Sequence, residues 1–198
     1  MSDFTAPASG GARSALPPLA AEDFVCARCA LDYSELSVEH AAGVIRGIPT
    51  AVRDAVFAVP ENSRRERPSP QVWSVTEYVC HLRDVYASFT IRLHRARTED
   101  RPALEPMFND LRARRFRYNE RDVVPILDEL AANAAGFGEE IGRVDPQDWD
   151  RIVTRLPGER RSARWLVRQA MHEGVHHLAD IRAAAAAVEA NMHRSRPK

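Results

Sequence analysis

Apolar residues recur along this chain at intervals of three and four, the spacing that lays one face of an α-helix against a core. From Ser37 to Val59 the stripe is Val38, Ala41, Ile45, Ile48, Val52, Val56 and Val59, which predicts a first long helix. Gly47 and Pro49 fall inside it and argue for a kink rather than a break. A charged, proline-bounded loop follows over Pro60–Pro70. Ser74-Val75-Thr76-Glu77 is a capping box, because serine and glutamate side chains can each close a backbone N–H left open at a helix start. It opens a second helix with the stripe Val75, Tyr78, Leu82, Val85, Phe89 and Leu93, and His81 lies on that stripe.

Residues Arg101–Arg121 are polar and irregular, a long crossover with a short helix over Phe108–Phe116. Asp122 caps a third long helix and tolerates Pro125 in its first turn. Leu127, Leu130, Ala131, Ala134, Phe137, Ile141 and Val144 continue it. Weak alternation over Ile152–Leu156 before Pro157-Gly158 fits a short hairpin or an extended loop. The last helix starts near Ser162 or Ala163 and runs to about Asn191, with a period through Leu166, Ala170, Glu173, His177, Asp180, Ile181 and Ala184. On the neighbouring side lie Trp165, His172, His176 and Ala179. The pattern predicts an all-α protein, a four-helix bundle of the up-down kind with one long crossover. Residues 24–190 form its domain, between a flexible tail over 1–23, rich in Pro and Gly, and a short tail over 191–198.

Composition adds little to the fold and much to the function. The 198 residues suit one domain, and 44% hydrophobic with 28% charged content is that of an ordinary globule. Net charge is zero with both signs mixed along the chain, which argues against nucleic acid as a partner. No apolar run reaches the roughly 20 residues that span a bilayer. No basic-then-apolar leader opens the chain. Three cysteines make no disulfide framework, so the expected compartment is the cytoplasm. The Cys26-Ala27-Arg28-Cys29 pair reads as small residues packing an N-terminal loop, as half a zinc site, or as a redox pair.

The chemistry concentrates in Met171-His172-Glu173-Gly174-Val175-His176-His177-Leu178-Ala179-Asp180. His172 and His176 stand one helical turn apart on one face, and His81 faces inward from the second helix. Together the three can hold a divalent ion and leave coordination positions open, the catalytic arrangement. His177 points about 100° from His176, as an outer partner or a packing residue. Asp180 is placed to orient the other ring nitrogen of His176 or to pair with an arginine. His172-Glu173-x-x-His176 also spells the zinc-peptidase signature, with Glu173 as general base. However, the extended form places Ala179 and Arg182 where its glycine and third histidine belong.

Trp73 to Leu82, taken with His172-x-x-x-His176, resembles the DinB-like, or YfiT-like, metalloprotein family. Cys26-x-x-Cys29 followed by Asp32-Tyr33, and Arg117-Tyr118-Asn119-Glu120, are similar to its actinobacterial branch. The resemblance covers about Phe24 to Ala187. It implies a four-helix bundle with zinc or nickel held by His81, His172 and His176. It further implies an S-transferase or isomerase that uses a small thiol such as mycothiol, acting on a small electrophilic molecule. Glu173, His177 and Asp180 would then be outer-shell or proton-transfer groups, and Arg83 and Asn119 would sit at the pocket rim. A metal-dependent hydrolase using water, or a non-catalytic metal- or small-molecule-binding protein, are the alternatives. Such a bundle could pair with a copy of itself as a homodimer.

Overall fold

The computed structural model describes residues 16–194, the side chain of residue 193 excepted. Its main elements are five α-helices and one hairpin, joined by short 3-10 turns: α1 (Val38–Phe57), α2 (Val75–Thr98), α3 (Asn109–Arg115), α4 (Val123–Ile141), β1 (Ile152–Thr154), β2 (Arg160–Ser162) and α5 (Ala163–Arg194). Ser37 caps α1, accepting from His40 N at 3.1 Å, and the two predicted caps are in place. Ser74 and Glu77 form the full capping box, and Asp122 accepts from Val124 N at 3.1 Å. Helix α1 continues through Pro49 without a break. The hairpin turns at Gly158, whose φ of 84° suits a residue without a side chain.

The four long helices form the bundle, with α1 against α4 and α5, and α2 against α4 and α5. Helices α1 and α2, consecutive in the chain, therefore sit diagonally, which a simple up-down bundle does not do. Residues 58–74 cross that diagonal, while the long Arg101–Arg121 connection joins the neighbours α2 and α4. Trp165, Tyr33, Tyr86, Phe137 and Leu82 fill the centre. Gly174 in α5 lets two helices approach, since a Cβ there would overlap the Tyr86 hydroxyl and meet Ile48 Cγ1 at 3.0 Å.

The first fifteen positions of the predicted tail over 1–23, and the last four of that over 191–198, lie outside the described residues. From Leu16 on, the segment lies against the hairpin. Leu19 N donates to Glu159 at 2.8 Å, and Ser162 N donates to Glu22 at 2.5 Å. Further on, Phe24 to Tyr33 folds back on itself, with Cys26 N donating to Leu31 O at 2.9 Å and Tyr33 N to Phe24 O at 3.0 Å. Among the described residues, no helix is long and apolar enough to cross a membrane.

Candidate metal centre

Helix α2 delivers His81 into the bundle at 1% exposure. Helix α5 brings Glu173 and His177, one turn apart, to meet it. One donor atom from each of the three lies within 4.8 Å of the other two. Glu173 Oε2 is the hub, 3.4 Å from His81 Nε2 and 3.2 Å from His177 Nε2. The two imidazoles meet edge to face at 4.8 Å between centroids, with Trp73 against His81 and Tyr78 against His177.

A second layer of polar groups fixes these three. Gln169 Nε2 donates to Glu173 Oε1 at 2.6 Å, and the Tyr33 hydroxyl donates to Gln169 Oε1 at 2.8 Å. Asp180 Oδ2 lies 2.9 Å from His177 Nδ1, and Arg28 donates to Asp180 Oδ1 at 2.5 Å. Burial disfavours charge on His177, but the Asp180 and Glu173 carboxylates outweigh it and raise its pKa to about 9. Burial likewise pushes Glu173 up, and hydrogen bonds from His177 and His81 hold it well below its usual range. Asp180 is pushed up by burial and brought down to about 2 by His177 and Arg28. His81, by contrast, is lowered by burial despite Glu173 beside it.

These residues fit a divalent ion. With Asp180 holding the Nδ1 proton of His177, Nε2 presents a lone pair towards Glu173 and His81, as a carboxylate–histidine–metal chain requires. Two imidazoles and a carboxylate suit zinc or nickel. In the ion-free chain, a protonated His177 donating to both carboxylates takes the cation's place. A cavity of about 600 Å³ reaches His81 and Glu173, walled by Phe89, Met107 and Trp165 and lined also by Arg92, Arg114 and Arg155. Three protein donors, two of them in the cavity lining, leave positions open to a substrate.

The three histidines predicted to share one ion are divided between two clusters. His81 lies with Glu173 and His177, whereas His172 and His176 lie with Cys26 and Cys29. The cause is geometric: one residue along a helix is about 100° of rotation. The face of α5 turned to α2 is that of Glu173, His177 and Asp180. Of these, Glu173 and His177 thus cluster with His81, and Asp180 backs His177. Asp180 also pairs with an arginine, Arg28. Arg83 is engaged with Asp84 and Glu129. Asn119 accepts from the Ser74 hydroxyl and donates to Arg65 O. Neither lines the cavity. Gln169, Tyr33 and Arg28 were not among the predicted site residues; Arg28 lies inside the Cys26–Cys29 pair and Tyr33 in the Asp32-Tyr33 pair, whereas nothing local in the sequence marks Gln169.

A model of the DinB superfamily matches residues 45–181. No curated protein sequence matches the chain. Among solved structures, the fold is similar to that of YfiT from Bacillus subtilis, described as "a probable metal-dependent hydrolase with an unusual four-helix bundle topology". The TM-score is 0.69 at 18% identity, over 80% of this chain and 91% of that one. It is also similar to mycothiol-dependent maleylpyruvate isomerase, with a TM-score of 0.61 at 14% identity, covering 75% of this chain. The match spans only 62% of the isomerase's length.

Proposed function

The chain belongs to the DinB superfamily, and from that premise we propose that it is a divalent-metal-dependent enzyme joining a low-molecular-weight thiol to a small electrophile, as an S-transferase or a related isomerase. His81, Glu173 and His177 hold the ion, zinc or nickel. The observation that carries this reading is the convergence of those three donors where His81 and Glu173 line the cavity, with Asp180 behind His177. A bound divalent ion supplies Lewis acidity, which favours the deprotonated, nucleophilic form of a thiol.

The chain's own residues do the rest. Gln169, held by Tyr33, fixes Glu173 Oε1 and turns its other oxygen to the centre. Asp180, held by Arg28, keeps the proton of His177 on Nδ1. Phe89, Met107 and Trp165 exclude water from the cavity wall. Arg92, Arg114 and Arg155 outnumber Asp110 and Glu173 in its lining, which supports a negatively charged electrophile such as a small carboxylate.

The test uses untagged full-length protein loaded with zinc or nickel. It is incubated with mycothiol and 1-chloro-2,4-dinitrobenzene and followed by mass spectrometry. Conjugation above the uncatalysed rate is expected only with protein, ion and thiol together, and is lost in Glu173→Gln. Ion-dependent ester hydrolysis that ignores added thiol would instead assign the site to a hydrolase with water as nucleophile. Full ion retention by His81→Ala or His177→Ala would overturn the donor set.

A further inference from the structure

The adjacent face of α5 carries a second set of donors that the cavity does not use. His172 and His176, one turn apart, lean on the Phe24–Tyr33 turn, which presents Cys26 and Cys29. One atom from each of the four residues lies within 4.8 Å of the other three. Cys26 Sγ is 3.5 Å from His176 Nδ1, and the two imidazoles stand 5.1 Å apart between centroids. From these contacts we propose that Cys26, Cys29, His172 and His176 form a closed, four-coordinate zinc site that fastens the N-terminal turn to α5.

Two observations carry the proposal besides the clustering. Both ring nitrogens of His172 are buried and without a hydrogen-bond partner. Leaving a buried polar group without a partner forfeits its hydration with nothing in return, so native proteins seldom do so unless something binds it. The rings of Phe24 and Tyr33 hold that imidazole in place from the side, at 5.6 and 5.8 Å. The turn itself is the second observation. Ala30 takes a left-handed φ of 56° and donates its N–H to Cys26 O at 2.8 Å. That tight turn brings Cys26 and Cys29 to the same side, facing His172 and His176.

Two thiolates and two imidazoles form a soft, tetrahedral donor set that favours zinc, with ligand distances of about 2.3 Å to sulfur and 2.0 Å to nitrogen. All four positions come from protein, so this site is structural where the other is open. His176 Nε2 now sits 3.0 Å from an Arg28 nitrogen. Coordination through Nδ1 puts a proton on Nε2 and turns it from Arg28 towards Asp180 Oδ2, 3.8 Å away. The same turn carries Arg28 and Tyr33, the outer partners of the open site, so the zinc would also position them.

The test uses untagged full-length protein prepared without oxygen. Two zinc equivalents per chain are expected, of which 4-hydroxymercuribenzoate releases one by capping the thiolates. The Cys26→Ser/Cys29→Ser variant should keep one, and His81→Ala/His177→Ala should keep the other. If the cysteine variant fails to fold, cobalt-substituted wild type still decides. A sulfur-to-cobalt charge-transfer band with intense tetrahedral visible bands is expected, and it should persist in His81→Ala/His177→Ala. No such band, no zinc released by the mercurial, or an intact mass lower by two hydrogens from a Cys26–Cys29 disulfide would each overturn the proposal. Loss of the open site alone leaves it standing.

Discussion

Two faces of α5, about 100° apart, carry donor sets that differ in hardness and in access. His81, Glu173 and His177 offer nitrogen and oxygen, the first two in the lining of a cavity, with a carboxylate and an amide behind them. Cys26, Cys29, His172 and His176 offer sulfur and nitrogen under a backbone turn, outside the cavity lining. Three donors with space beside them suit turnover, and four donors without it suit fastening. One helix can thus serve both needs because neighbouring residues face different elements, the first set meeting α2 and the second the N-terminal turn.

The comparison breaks most readily at the open set. His177→Ala should abolish ion binding there and reduce conjugation to the uncatalysed rate, while the thiolate–cobalt spectrum stays. Metal analysis and turnover on one preparation check both halves. Gly174→Val should harm both faces at once, since its side chain would drive into Tyr86 and Ile48. Overpacking of this kind costs about 1–3 kcal/mol, read as a lower denaturant midpoint. Asp180→Asn should weaken ion affinity at the open set by about 10- to 100-fold, as loss of an outer carboxylate does elsewhere.

A pH titration sharpens the contrast with a smaller effect. In the ion-free chain His177 is raised from 6.5 to about 9 by its two carboxylates. Its proton therefore stabilises the fold fully below about pH 6.5, and that contribution is lost as pH rises through about 9. The loaded chain should behave oppositely, because the ion needs neutral imidazole and protons displace it as pH falls. Thermal melts at pH 6 and pH 9, with and without chelator, should cross in this way; parallel curves would remove His177 from the donor set. The smallest effect belongs to Arg83→Ala, which should leave turnover within about twofold, since Arg83 faces Asp84 and Glu129 instead of the cavity.

Much of the architecture was legible because its signals are local. Capping at Ser74 and Asp122, the apolar stripes, and Pro157-Gly158 place the four long helices and the hairpin within a few residues. The diagonal placement of α1 and α2 was not legible, since a stripe tells which face is buried but not which neighbour buries it. The site was legible as a stretch and not as a pairing. The stripe of the last helix runs through Glu173, His177 and Asp180, so the face that would meet His81 was already written there. The familiar spacing of His172 and His176 drew attention one residue away. Cys26 and Cys29 lie about 150 residues from their histidine neighbours, and only the folded turn shows that they meet.

Asp180 touches both assemblies: Oδ2 holds His177 Nδ1 at 2.9 Å and lies 3.8 Å from His176 Nε2, and Oδ1 holds Arg28. A single carboxylate cannot serve two imidazoles without each altering what the other receives. Filling one assembly then changes the free energy of filling its neighbour, and the neighbour returns the same factor in the reverse direction. Asp180 would in this way act as a thermodynamic hinge, letting the state of the fastening be felt as a binding constant at the reactive end.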